Sequence, residues 1–249
     1  MTAAGLTPGF GVFLAVNAAG IASMIPYAMN GQRRDADQEG KHGQFLGGVG
    51  DFILHWFMWA LSPVVRISLR LGLSPDVFNY LGLGFGVASG PLIAAGRLEL
   101  AGWAIVLSGI ADILDGRIAR LTGVASNYGD FIDSTFDRFA EAATFLGFAW
   151  WLRDTPFGPL GAAAALAGSL IVSYARARGE VLGVMCSGGL MQRGERLVLT
   201  ALVCLIGPSA TRAFHLGPQT LVLGMLWLMA VTTMFTAVWR TIWIARRLR

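Results

Sequence analysis

DILDGRIARLTGVASNYGDFIDSTFDR, residues 112–138, places five carboxylates within 26 residues, between stretches apolar enough to cross a bilayer. An ionisable side chain at membrane depth is costly unless it is paired, hydrated or metal-bound, so each is a functional candidate. The spacing sharpens this. Asp112, Asp115, Gly116, Ala119 and Arg120 follow i, i+3, i+4, i+7, i+8, which is one face of a helix. After eight residues comes Gly129, and Asp133 and Asp137 follow at i+4 and i+8 on one face of a second helix. So short a connection makes the two helices antiparallel neighbours, and four aspartates can face one another across the pair.

The rest of the chain supplies the membrane. Of 249 residues, 55% are hydrophobic and 14% charged, well below the roughly 25% charged residues of a soluble domain. Spans of about 20 apolar residues are expected at 9–29, 76–95, 100–119, 130–152, 158–177, 197–213 and 219–243. The stretch DFILHWFMWALSPVVRISLRLG, with Pro63, Arg66 and Arg70, reads instead as an amphipathic helix lying in the interface, its arginines at headgroup level. The expected class is an all-α polytopic membrane protein in three parts. Residues 1–50 form an N-terminal span and a polar linker, 51–72 the interfacial helix, and 73–249 a six-helix transmembrane domain. No Lys or Arg precedes the apolar core of residues 1–29, which favours a retained helix over a cleaved signal peptide.

Sixteen of the 19 Lys and Arg residues fall on one side of this topology, and only Arg97, Arg153 and Arg212 on the other. The basic side is cytoplasmic, so the N-terminus is expected outside, the C-terminus inside and the acidic stretch at the inner face of the cell membrane. The arginines lie at helix ends and form no basic stripe, which excludes a nucleic-acid partner. Cys186 and Cys204 have neither metal-ligand spacing nor a disulfide framework. The glycines of LGLGFGVASG (81–90) read as helix-packing positions.

Asp112, Asp115, Asp133 and Asp137 would repel one another if unpaired. Arg117, Arg120 and Arg138 offer some compensation, but a cluster of hard oxygen donors without His or Cys suits Mg²⁺, Mn²⁺ or Ca²⁺. Two such ions could clamp a phosphoryl displacement. Gly116 and Ala119 leave room beside the acids, and the planar fork of Arg120 suits phosphate oxygens. Asp130 reads as a solvated carboxylate favoured by the helix dipole. A cation or proton transporter would need polar groups continuing to the outer side, and here they stop in the cytoplasmic half.

D-x-x-D-G-x-x-A-R, eight residues, then G-x-x-x-D-x-x-x-D resembles the signature of the CDP-alcohol phosphotransferase family, with every fixed position met between Asp112 and Asp137. The resemblance implies that Asp112, Asp115, Asp133 and Asp137 hold two divalent cations. It also implies that Asp137 is the general base, and that Asp112, Gly116, Ala119 and Arg120 bind the CDP moiety. The donor would be CDP-diacylglycerol, the product a phospholipid with release of CMP, and the enzyme a homodimer.

For the acceptor, SYARARGE brings Arg176 and Arg178 to the end of one helix, and QRGER brings Arg193 and Arg196 to the start of another. Topology alone could explain these charges, yet Glu180 and Glu195 are interleaved, which a plain topology signal would not need. A phosphate-bearing acceptor fits such a cluster. DSTFDRFAEAATFLGFAWW and SYARARGE…GGLMQRGERLVL are similar to prokaryotic phosphatidylinositol phosphate synthases, which implies inositol 1-phosphate as acceptor. Arg176 stands where that subfamily commonly has lysine. Glycerol 3-phosphate is the alternative within the same chemistry, and serine would leave the arginines without a role.

Overall fold

The computed structural model describes residues 7–29, 48–186 and 188–249, with the side chains of 48–51 outside the description. The polar linker expected before residue 50 falls largely outside these segments. The described residues form eight helices: α1 (Pro8–Met29), α2 (Gly48–Arg70), α3 (Pro75–Ala94), α4 (Leu98–Thr122), α5 (Asn127–Trp151), α6 (Gly158–Val181), α7 (Arg193–Ala213) and α8 (Thr220–Arg247).

The helix ends follow local chemistry. Ser74 is the N-cap of α3, with Pro75 in its first turn, where the missing N–H costs nothing. Gly123 ends α4 in the left-handed region, at φ 71°, which a side chain would strain. Four residues later α5 begins, its first turn closed by the Ser126 hydroxyl accepting from the Gly129 N–H at 3.3 Å. The expected hairpin of acidic helices is thus made by a glycine stop and a serine start.

The six helices α3 to α8 close into a ring: α3 packs on α4 and α5, α4 on α7, α7 on α8, α8 on α6, and α6 on α5. Where α3 crosses α5 the backbones nearly touch. A Cβ at Gly147 would stand 2.9 Å from the Gly90 Cα, and one at Gly90 would stand 2.9 Å from the Ala143 carbonyl carbon. Only glycine permits this approach. Beside it, the buried Ser89 and Thr144 hydroxyls share a hydrogen bond of 2.7 Å.

One half of the ring is filled by apolar side chains, including Ile93, Phe148, Leu152, Cys204, Leu226 and Met229, all fully buried. A smaller cluster of Leu61, Val65, Phe78, Leu114 and Ile118 seats α2 against α3 and α4. The outside is apolar too: Tyr80, Leu146, Trp150, Val231 and Phe235 are each at least 59% exposed, a coat suited to lipid and not to water. Helices α1, α3, α6, α7 and α8 and the Phe52–Arg70 part of α2 are long and apolar enough to cross a membrane. Helices α4 and α5 have 25 residues each and carry the charged signature. The protein is a multi-pass, all-helical membrane protein.

Candidate active site

Helices α4 and α5 bring their acids together as the spacing predicts. One carboxylate oxygen each from Asp112, Asp133 and Asp137 lies within 4.8 Å of the others. Asp115, one turn from Asp112, lines the same hollow together with Asn79 and Ser108. It is 6% exposed, and its Oδ2 is buried with no hydrogen-bond partner in the protein. Buried carboxylate oxygens are normally satisfied, so an orphan facing three other carboxylates marks a place for a cation. All the donors are hard oxygens, which is the chemistry of Mg²⁺ or Mn²⁺. The residues present fit a divalent metal.

The arginines divide into distinct roles. Arg193, at the first position of α7, bridges the cluster: Nη1 donates to Asp112 Oδ1 at 3.0 Å, and Nη2 pairs with Asp137 Oδ1. Arg138 lies 3.6 Å from the other oxygen of Asp137 and donates to the Ser173 hydroxyl. The Arg196 side chain is 3% exposed and pairs through Nε with Glu141 Oε1 at 2.7 Å, while Nη1 donates to the Met191 carbonyl at 3.0 Å. Its Nη2 has no partner in the protein. Arg176 is half exposed and pairs with Glu180 at 2.8 Å.

These side chains border a cavity of about 790 Å³ beside the acids, lined by Asp133, Asp137 and the arginines Arg138, Arg176, Arg193, Arg196 and Arg240. A hollow with Asp133 and Asp137 at one wall, Glu180 paired to Arg176, and five guanidinium groups around it suits an anion presented to a metal.

Residues 72–246 match the CDP-alcohol phosphatidyltransferase family. The chain belongs to that family. Curated members similar to it include the phosphatidylinositol phosphate synthase of Mycobacterium tuberculosis, 35% identical over 73% of this chain and 85% of the relative. That of Streptomyces avermitilis is 35% identical over 77% and 80%. A crystal structure of the M. tuberculosis enzyme with CDP-DAG bound superposes with a TM-score of 0.64 at 32% identity, covering 73% of this chain and 92% of that one. Another, in complex with manganese and citrate, gives a TM-score of 0.63 at 33% identity over 73% and 88%. The protein is therefore a phospholipid-type transferase of this family that uses divalent metal, with an acidic cluster in its α4–α5 hairpin.

Other signature residues are placed as follows. The Arg120 guanidinium reaches back over Gly116, where a Cβ would meet its Nη1 at 3.2 Å. Gly116 and Ala119 are partly buried and Arg120 and Asp130 exposed. Arg117 turns the other way, and its Nη1 donates to the Met58 carbonyl of α2 at 2.6 Å. Arg178 is exposed and does not line the arginine cavity.

The two interleaved glutamates have local explanations. Glu195 closes a capping box, its carboxylate accepting from the Gln192 N–H at 2.9 Å, and Glu180 is the i+4 partner of Arg176. Neither needs an acceptor pocket to account for it. Two residues beyond the signature also matter. Glu141 is one further turn along the acidic face of α5, where the i+4 spacing from Asp137 is the signal. Arg240, 3% exposed, donates to the carbonyls of Gly188 at 2.9 Å and Val172 at 3.1 Å. It holds the segment that enters α7. A lone arginine inside the apolar run 219–243 was the signal.

Proposed function

We propose that the protein transfers a phosphatidyl group from CDP-diacylglycerol to a hydroxyl of inositol 1-phosphate, giving phosphatidylinositol phosphate and CMP. One observation carries this reading: the acids of α4 and α5 and the arginine cavity share a wall, at Asp133 and Asp137. A metal-bound pyrophosphate and a phosphorylated acceptor could therefore meet there.

In this reading Asp112, Asp115, Asp133 and Asp137 hold two divalent cations. When bound, these neutralise pyrophosphate charge and stabilise the departing CMP phosphate. Gly116, Ala119 and Arg120, with Asp112, receive the CDP moiety. Arg176, Arg193 and Arg196 hold the acceptor phosphate, with Arg138 and Arg240 shaping the cavity, while Arg178, off its lining, takes no part. Asp137 takes the proton from the acceptor hydroxyl, whose oxygen forms the new bond to the lipid-side phosphorus. The bond from that phosphorus to the bridging oxygen breaks, and CMP leaves with the bonding pair. Positioning and charge stabilisation do most of the work.

The site faces the cytoplasm of the cell membrane in this proposal, with the N-terminus outside, supported by the sixteen-to-three division of basic residues. Helix α2, although long and apolar enough to cross, lies at the interface in this reading, supported by Arg66 and Arg70 near its end. The family resemblance adds a homodimer, which native mass spectrometry of the solubilised protein checks. The deciding experiment is release of CMP from labelled CDP-diacylglycerol with Mg²⁺ or Mn²⁺ and a panel of inositol 1-phosphate, glycerol 3-phosphate, inositol and serine. Turnover with inositol 1-phosphate alone is the expected result. Preference for glycerol 3-phosphate would reassign the acceptor.

A further inference from the structure

Helix α1 lies before the family match, which begins at residue 72, yet it is attached to the catalytic ring at its start and to α2 near its end. At its start, the Thr7 N–H donates to Ser209 Oγ of α7 at 3.2 Å, and the Gly9 N–H donates to Glu99 Oε2 of α4 at 3.1 Å. The Thr7 hydroxyl also donates to Glu99. Near its end, Ser23 Oγ accepts from Trp56 Nε1 of α2 at 2.9 Å, and the Tyr27 ring lies 5.5 Å from that of Trp59. Between these attachments the helix is free: residues 14–19 are all exposed, whereas 9, 10, 13, 20, 23, 24 and 27 are partly covered. A helix fixed at its two ends and uncovered in its middle is a strut over a hollow.

The hollow is an apolar cavity of about 570 Å³ between α1, α2, α4 and α7, a size typical of ligand pockets, roughly 300–1,000 Å³. One end is polar, formed by Asp112 and Arg193, two residues of the acidic site. Away from that end the lining includes Phe13 of α1 with Val106 and Leu205. Along α7 the lining runs from Arg193 to Leu205, about 18 Å at the helical rise. That is close to one leaflet, half of the roughly 30 Å hydrocarbon core. A polar mouth at the reaction centre and an apolar bore one leaflet deep describe a single acyl chain whose headgroup is held at Asp112.

We propose that α1 is the outer wall of an acyl-chain cavity opening from the metal site, and that Phe13, lining it away from the mouth, sets the length of donor chain the enzyme accepts. This deepens the reading of the donor as CDP-diacylglycerol and rests on it. Phe13 is a specificity-determining residue in this scheme and touches no reacting atom. Replacing it changes the depth of the bore and leaves the acids and arginines in place.

Two measurements on the full chain test this. The first irradiates the manganese-loaded enzyme, without acceptor, with a CDP-diacylglycerol carrying a diazirine at the chain terminus. Labelling of the 8–29 peptide and of α7 near Leu205 is expected. Labelling confined to α6 or α8, or equal labelling of α1 by a diazirine phosphatidylcholine, would overturn the proposal, the latter showing a general lipid site. The second compares kcat/KM across donors of increasing chain length. Phe13→Ala should raise the long-to-short ratio and Phe13→Trp lower it, each by about tenfold, the scale at which an apolar pocket discriminates by methylene groups. Identical ratios in both variants and the parent would overturn it. If the parent enzyme releases no CMP from any diacyl donor, the donor assignment itself fails, a result distinct from turnover without chain-length selection.

Discussion

Arg176 and Arg196 carry the same charge toward the same cavity, yet burial separates what they can do. Arg176 is half exposed on a local pair with Glu180, and exposed pairs of this kind contribute less than about 1 kcal/mol. Arg176→Gln should raise KM for the phosphorylated acceptor severalfold and leave the melting temperature unchanged. Arg196 is buried against Glu141, and removing one partner of a buried pair costs about 3–5 kcal/mol because the other charge is stranded. Arg196→Gln is therefore expected to lower thermal stability as well as acceptor affinity, and Arg196→Gln with Glu141→Gln should recover stability but not affinity. Melting curves and acceptor titrations on the three variants separate these outcomes. Asp137→Asn should reduce CMP release by orders of magnitude while calorimetry still detects divalent-metal binding through the remaining acids; normal turnover would remove Asp137 from the role of base. The acids were legible in the sequence because side chains three and four apart must share a helix face. The roles of Glu180 and Glu195 were not, because a capping box and an i+4 pair are written with the same letters as a binding pocket.

At the scale of helices, hydropathy located α1 and α3 to α8, and the glycine and serine of the 121–129 turn explain why α4 and α5 are neighbours. The start of α7 lies four residues earlier than apolarity alone indicated, at Arg193, because the Gln192–Glu195 box pulls polar residues into the first turn. That extension brings Arg193 onto Asp112 and Asp137. What hydropathy could not supply is partner choice: LGLGFGVASG announces a close contact without naming Gly147 as its other half. Gly147→Val tests that contact. Its Cβ would stand 2.9 Å from the Gly90 Cα, and overpacking of this kind costs about 1–3 kcal/mol. The variant should melt earlier and, because α5 carries Asp133 and Asp137 on the same rod, lose metal affinity; a variant with parental metal binding and stability would mean that the crossing tolerates separation.

Across the whole molecule, folding and metal binding are linked, since a cluster assembled from two helices exists only in the folded bundle. Manganese at about a hundred times its dissociation constant should stabilise the protein by about 2.7 kcal/mol, read as an upward shift in melting temperature that Asp133→Asn largely abolishes. A shift of equal size in that variant would place the ion elsewhere. The bundle also has a sealed half. No Asp, Glu, Lys, Arg or His lies in α4 between Glu99 and Asp112, in α5 after Glu141, in α6 before Arg176, in α7 between Arg196 and Arg212, or in α8 before Arg240, and Phe148, Leu152, Leu226 and Met229 close the space between these stretches. On α4 the uncharged stretch is about 18 Å thick at the helical rise. Hydrogen ions liberated at the acidic end therefore meet no carboxylate, imidazole or basic side chain along these stretches to carry them across the bundle.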